Sequence, residues 1–409
     1  MASSIKNNLS KIYYGYVVIA AAFIIITLMY GAQGSFGVFF KPMSSEFGWS
    51  RAETAGPFAI SMVVSGFLSI FSGRVGDRFG CRKLVSIGGL LFGIGYILMS
   101  LIANLWQLYL FYLLVAVGVS TLYVPVVSLI ARWFAKRRGL IAGISTSGVG
   151  VGIVVMPPIC SRVIESFGWR IPLVALGIIL IVLIVPLGQL LKNAPENGKL
   201  PVSRESSRRP VLDTEKEITF SQALRMSPFW MISVAWFCYG IFYQTALVHV
   251  VPYATDIGMS PISAATVLMI IGITGTIGRF TLGYVADRFG NMVTTYTSCG
   301  IIGLCYIGLM FSTGLSALYL FAVIFGYVVA FGLLLIPIMA EYFGLMEVGI
   351  ISGFGIFTYY VGGALGPLTA GGIFDAAGSY HWAFAACAAA GLIGALLIWL
   401  ASVGRKPLS

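Results

Sequence analysis

Twelve stretches of this chain are apolar for about the 20 residues that a helix needs to cross a bilayer core. They run over roughly 14–40, 54–73, 84–102, 107–131, 139–164, 170–191, 229–253, 263–285, 293–311, 316–340, 349–373 and 382–402. Lipid offers backbone amides no partner, so separate long apolar runs must satisfy their own hydrogen bonds, which they do as helices. The expected fold class is an all-α polytopic membrane protein with twelve transmembrane helices. Composition agrees: 58% of the residues are hydrophobic and 10% charged, outside the range of a soluble domain. Fifty glycines suit close helix packing in lipid. Lys6 and Lys11 precede a run too long for a signal-peptide core, so no cleavable leader is expected. The scattered Cys81, Cys160, Cys238, Cys299, Cys305 and Cys387 form no paired motif and read as small core residues.

The one long hydrophilic connection divides the spans six and six. The expected organisation is an N-terminal bundle at 1–191, a cytoplasmic linker at 192–228 and a C-terminal bundle at 229–409. The halves repeat each other at a constant offset. Gly73 matches Gly283, Asp77-Arg78-Phe79-Gly80 matches Asp287-Arg288-Phe289-Gly290, Pro157 matches Pro367, and Gly168 matches Gly378. One offset over many landmarks marks an internal repeat, and six spans between copies gives both the same orientation. Such paired bundles hold a substrate near the midplane and rock about it. Nearly all Lys and Arg fall on the side of the two termini, leaving only Lys41, Arg51, Arg162 and Arg170 opposite and Arg279 between. That bias places both termini in the cytoplasm. The net charge of +11 is thus a topology signal, and no nucleic-acid partner is expected.

Arg279 is the exception to the pattern. It sits inside the eighth span, a turn or two from the end that leads into GYVADRFG. A charge at the centre of a span costs about 2.5–3.5 kcal/mol on insertion scales, and arginine does not shed its proton. It either faces a wet cavity and meets an anion there, or snorkels to the headgroups along its stem. Its counterpart in the first half is Ser69, so the chemistry is asymmetric on a symmetric frame. Gly272, Thr276, Arg279 and Gly283 share one face, a small polar stripe suited to line a cavity. GVGVG at Gly148–Gly152 lies in an apolar helix and reads as packing, not as a phosphate cradle.

Two motifs carry a resemblance. GRVGDRFGCRK (Gly73–Lys83), with its second copy GYVADRFG, resembles the loop signature of the major facilitator superfamily. The resemblance implies that fold, two six-helix repeats, and a gating role for Asp77, Arg78, Asp287 and Arg288. ARWFAKRRGLIAGISTSG (Ala131–Gly148) resembles the signature of the monocarboxylate transporter family. Tyr14-Gly15-Tyr16 and YGAQGSFGVFFK (Tyr30–Lys41) resemble that family's first helix. Bacterial members of this kind include lactate carriers and oxalate/formate exchangers. The family's helix-eight arginine, which pairs with the substrate carboxylate, matches Arg279, and a helix-one tyrosine matches Tyr30. Gly34 and Gly275 stand where animal members place a lysine and an aspartate. The run Ile350–Ile373 lacks the helix-eleven lysine expected of oxalate exchangers. One guanidinium balances one carboxylate, which favours a monocarboxylate.

Further candidates for the substrate pocket are Gln33, Tyr123, Tyr243, Phe331, Phe357, Tyr359 and Tyr360. His249, in the outer part of the seventh span, is a candidate to carry a co-transported proton. The expected function is secondary transport of a small monocarboxylate, of lactate or pyruvate type, with a proton. The alternative is an organic-anion exchanger of oxalate/formate type without proton coupling. An enzyme finds no support: HExxH is absent and His249 and His381 are far apart in the repeat. No cofactor or metal is expected. The partners expected are the carboxylate, a proton and the lipid of a bacterial cytoplasmic (inner) membrane, with the chain acting as a monomer.

Overall fold

The structure, a computed structural model, describes residues 2–133, 145–192, 218–311, 314–344 and 347–403. The basic run Lys136-Arg137-Arg138 and most of the polar linker lie outside the described residues, as do the side chains of Asp77 and Arg78. Among the described residues there is no strand.

The first half contributes α1 (Ala2–Gly34), α2 (Phe36–Phe47), α3 (Arg51–Phe79), α4 (Cys81–Met99), α5 (Leu105–Trp133), α6 (Gly148–Phe167) and α7 (Arg170–Leu190). A short α8 (Phe220–Ala223) precedes the second half: α9 (Ser227–Asp256), α10 (Pro261–Phe289), α11 (Asn291–Phe311) and α12 (Leu315–Val329). A 3-10 turn (Ala330–Leu334), α13 (Leu335–Phe343), α14 (Val348–Ala377) and α15 (His381–Val403) complete it. Two crossings are broken helices. α1 and α2 together cover Tyr14–Phe47, and α12 to α13 cover Leu315–Phe343. The first break falls at Ser35, whose hydroxyl turns back to the Gly31 carbonyl at 2.8 Å.

Ten spans among the described residues are long and apolar enough to cross a membrane. The other two crossings are α3 and α14, at 29 and 30 residues. Gly, Ser, Thr and Tyr dilute their apolar character, and the reason is where they pack: on each other, across the two halves. A Cβ on Gly66 of α3 would lie 2.7 Å from the Tyr360 Cβ of α14. Residues such as Phe67, Leu110, Ile178, Val182, Leu304, Leu320 and Leu396 are exposed on the outside of the bundle, where lipid is their solvent. The protein is an all-α polytopic membrane protein with twelve transmembrane helices in two six-helix repeats.

The repeat is visible in the turns. The positive-φ glycines include the pairs Gly48 and Gly258, Gly80 and Gly290, and Gly168 and Gly378, each at the spacing of the sequence repeat. An L side chain is strained in that region, so glycine makes the reversal in one residue. This changes the reading of the two signature segments. Asp77-Arg78-Phe79 and Asp287-Arg288-Phe289 are not loop; they are the last turns of α3 and α10, and the connection is Gly80 or Gly290 alone. Cys81 is the buried first residue of α4. Of the six cysteines, five are buried.

Below, the end of the bundle that holds Ala2, Phe79, Ser227, Phe289 and Val348 is called proximal. The opposite end, where α2 meets α3 and α9 meets α10, is called distal.

Candidate functional site

The glycines around Arg279 decide where it points. A Cβ on Gly278 would lie 2.2 Å from the Tyr327 carbonyl oxygen, and one on Gly326 would lie 2.1 Å from Thr274 Oγ1. α10 is therefore pressed against α12 of its own half. Its other side meets α6 of the first half: a Cβ on Gly150 would lie 1.9 Å from Thr276 Oγ1 and 3.0 Å from the Gly272 oxygen. Gly272 and Thr276, expected to line a cavity, form this helix seam instead, because small residues are what lets the two backbones approach. Of the glycine run at Gly148–Gly152, Gly150 forms the other side of this seam, while Gly152 faces α1: a Cβ on it would lie 2.2 Å from the Thr27 oxygen. A Cβ on Gly275 would lie 3.2 Å from the Gly326 oxygen, a tight approach between α10 and α12.

Arg279 is half-buried. α10 continues to Phe289, ten residues on, so Arg279 stands about 15 Å from the helix end at ~1.5 Å per residue. That is deeper than its spacing from the signature motif suggested. Its Nη1 is buried and has no hydrogen-bond partner. Among the described residues no carboxylate pairs with it. Its charge acts instead on four tyrosines: Tyr30 and Tyr123 of the first half, Tyr239 and Tyr243 of the second. Snorkelling does not describe a guanidinium so placed.

The tyrosines form one cluster between the halves. Tyr30 and Tyr123 meet edge to face at 5.9 Å between centroids. Tyr239 stacks on Tyr243 at 5.5 Å, one helical turn away on α9, and tilts against Tyr359 at 5.2 Å. Tyr359 and Tyr360 are 5.5 Å apart. The 3-10 turn holds the cluster from behind. A Cβ on Gly332 would lie 2.6 Å from the Tyr239 hydroxyl, which donates to the Val329 carbonyl at 3.3 Å. Phe331, a pocket candidate, is 1% exposed. It packs on Tyr239 at 5.0 Å and Trp236 at 6.0 Å, in the layer that supports the tyrosines.

A cavity opens beside this cluster, lined by Tyr30, Gln33, Gly34, Phe58, Ile153, Tyr243, Gln244 and Leu247. Its walls are apolar apart from the two amides and two hydroxyls, the usual make-up of a site for a small molecule. Gln244 donates through Nε2 to the Tyr359 hydroxyl at 2.9 Å. A Cβ on Gly34 would lie 3.2 Å from Ile153 Cγ1.

Arg279, Tyr30, Gln33, Tyr123, Tyr243, Tyr359 and Tyr360 are thus brought together. Phe357 lies toward the proximal aromatic group, 6.4 Å from Phe354. His249 lies elsewhere: it is fully buried toward the distal end, bonded to Tyr380 and to the Pro367 carbonyl. Asp287 and Arg288 are exposed at the proximal end of α10, with the Arg288 guanidinium 5.6 Å from the Phe289 ring. Two members of the site were missed in sequence. Tyr239 lies one turn before Tyr243, so helical spacing was its signal; the signal for Gln244 was a polar residue in an apolar span.

The comparisons with known proteins agree with this geometry. Residues 22–367 match the model of the Major Facilitator Superfamily. Monocarboxylate transporter 12 of Mus musculus is 27% identical over 422 aligned residues, covering 96% of this chain and 86% of that protein. Monocarboxylate transporter 11 of Homo sapiens is 27% identical, covering 91% and 79%. Monocarboxylate transporter 13 of Bos taurus is 28% identical, covering 93% and 88%. Among solved structures, a bacterial homolog of the human lysosomal transporter Spinster, inward-facing and occupied, superposes with a TM-score of 0.72 at 17% identity. The alignment covers 97% of this chain and 99% of that one. Similarity over the whole length, a twelve-helix frame in two repeats and a cavity between the halves lead to one conclusion: the chain belongs to the Major Facilitator Superfamily and is a membrane transporter.

Proposed function

We propose that this transporter carries a small monocarboxylate of lactate or pyruvate type together with a proton, by alternating access. The observation that carries the reading is the buried, unpartnered Nη1 of Arg279 beside a tyrosine-lined cavity. A buried donor left without a partner costs about 1–3 kcal/mol, and more on a charged group. A carboxylate supplies the acceptor and the opposite charge at once. The tyrosine hydroxyls and the Gln33 and Gln244 amides offer hydrogen bonds to a 2-hydroxy or 2-oxo group, and Phe58, Ile153 and Leu247 wall a short carbon chain. Neutralising Arg279 lowers the penalty of sealing the site from water, so the loaded protein rocks more readily than the bare cation.

In this reading 1–191 and 229–409 are the moving bundles and 192–228 is the tether. Both termini face the cytoplasm and the distal end faces outward across a bacterial inner membrane. His249 is the proton-binding candidate, and Asp77, Arg78, Asp287 and Arg288 belong to the proximal gate. Uptake of labelled lactate, pyruvate and oxalate into proteoliposomes, with and without an imposed pH gradient, tests this. The expected result is gradient-driven uptake of a monocarboxylate that Arg279→Ala abolishes while the protein still inserts. Transport by Arg279→Ala at the wild-type rate overturns it, and counterflow indifferent to the gradient would replace symport by exchange.

A further inference from the structure

At the distal end a cluster that no sequence motif announced joins the two halves. Arg51, the first residue of α3, is the hub. Its Nη2 reaches Asp256 Oδ2 of α9 at 2.7 Å, and Lys41 Nζ of α2 reaches the other oxygen of Asp256 at 2.7 Å. The amides of Arg51 and Ala52 donate to the two carboxylate oxygens of Asp375, at 2.8 and 2.7 Å. A carboxylate from α14 thus caps the N-terminus of α3, where the helix dipole favours an anion. The guanidinium lies 3.6 Å from the Phe374 ring centroid, and its Nη1 donates to the Tyr380 hydroxyl. A Cβ on Gly371 would lie 2.9 Å from the Ala52 amide, so the backbones touch. Every one of these contacts joins the first half to the second.

The cluster continues inward to His249 with a defined polarity. Pro367 offers only a carbonyl oxygen, 2.9 Å from His249 Nε2, so Nε2 carries the hydrogen. Nδ1 is then a lone-pair acceptor, and the Tyr380 hydroxyl 2.9 Å away donates to it. Tyr380 in turn accepts from Arg51. The chain of donation runs from Arg51 to Tyr380 to His249 to Pro367. Around the imidazole stand the Phe40 ring of α2 at 5.2 Å and the Tyr380 ring at 5.3 Å. The charged groups acting on it are Arg51 of α3 and Asp375 of α14. Both carboxylates of the cluster are occupied, Asp256 by Lys41 and Arg51, Asp375 by the helix end.

We infer that Arg51, Asp256, Asp375 and Tyr380 lock the distal end shut, and that a proton taken up by His249 at Nδ1 releases the lock. The added N–H turns an acceptor into a donor, so Tyr380 can no longer donate to it. The tyrosine oxygen then faces two cationic donors, and the imidazolium joins Arg51 with no free carboxylate to answer it. Separation of the halves at this end relieves the repulsion and lets water reach both cations. The inference assumes nothing about the cargo and goes beyond a proton-binding role for His249: it names the contact whose donor and acceptor the proton reverses.

The test needs no substrate, so it stands or fails apart from the proposed transport. Spin labels are placed at Ser45→Cys and Ser379→Cys, exposed positions on either side of the lock, in the full chain with its native cysteines replaced. Distance distributions are read at about pH 8 and about pH 5, on either side of the usual histidine range. The expected result is a short distance at high pH and a growing long-distance population at low pH. One proton sets a limit of about tenfold in that ratio per pH unit. His249→Gln is expected to stay short at both, because the amide can donate to Pro367 and accept from Tyr380 without titrating. Tyr380→Phe, which breaks the chain by a different route, is expected to lose the pH response. No acid-dependent shift in the parent, or the full shift retained in either variant, overturns the inference.

Discussion

Arg51 and Arg279 lie at two depths of one interface and are treated in opposite ways. The Arg51 guanidinium is answered by the Asp256 carboxylate, the Tyr380 hydroxyl and the Phe374 ring, while its backbone amide donates to Asp375. Arg279 has four tyrosines in its field, a buried Nη1 without a partner, and no paired carboxylate among the described residues. A fully answered cation fastens two halves together. A cation left unanswered among tyrosines beside a small cavity is a standing demand for an anion. The same residue type does structural work at the distal end and binding work near the middle, and only its neighbours separate the roles.

Substitutions can break or sharpen that contrast. The largest effect is expected at Arg279→Ala. Truncating one partner of a buried charged pair costs about 2–5 kcal/mol, so carboxylate affinity should fall from about thirtyfold to several thousandfold, measured by equilibrium binding to purified protein. Arg279→Lys keeps the charge but loses the planar fork, and an affinity loss of about tenfold is expected in the same assay. Undiminished affinity in both would mean that the anion site lies elsewhere.

Arg51→Ala should behave differently. It removes charge-assisted hydrogen bonds worth about 1–3 kcal/mol each at most, and should lower the thermal unfolding midpoint while the carboxylate is still bound at the same stoichiometry. Loss of binding sites in this variant would erase the distinction between the two arginines. Gln244→Leu removes the bond to Tyr359; at about 0.5–1.5 kcal/mol, affinity for a 2-hydroxy acid should fall about two- to tenfold. Lys41→Ala should matter least. Its pair with Asp256 is partly exposed, at 38% and 28% side-chain accessibility, and such pairs contribute about 0–1 kcal/mol. A change in midpoint as large as that of Arg51→Ala would make Lys41 part of the hub.

How much of this could be read along the chain depends on the range of the interaction. The spans were readable because each apolar run answers to lipid on its own, residue by residue. The repeat was readable because glycines that must turn the chain recur at one offset, and Gly80 and Gly290 do turn it. Arg279 stood out because a charge in an apolar helix is conspicuous without any neighbour. The signature segments were misplaced as loops because nothing local tells how many residues a reversal needs once a glycine can do it alone. Gly272 and Thr276 were misread for a related cause: a small polar face suits a cavity wall and a helix seam equally, and the partner helix α6 decides.

The sequence by itself determined that this chain is a twelve-helix, internally repeated membrane protein with a cation, Arg279, inside an apolar span, because hydropathy, spacing and charge are properties of the chain alone. The tertiary structure decided what each polar residue answers to. Arg51, Asp256, Asp375, His249 and Tyr380 are scattered over more than three hundred residues and carry no shared motif. They become one cluster only when the ends of α3, α9 and α14 meet. Tyr239 and Gln244 likewise join the site only because α14 brings Tyr359 against both. A hydrogen bond depends on distance in space and on the partner's chemistry, and neither is written in the separation along the chain.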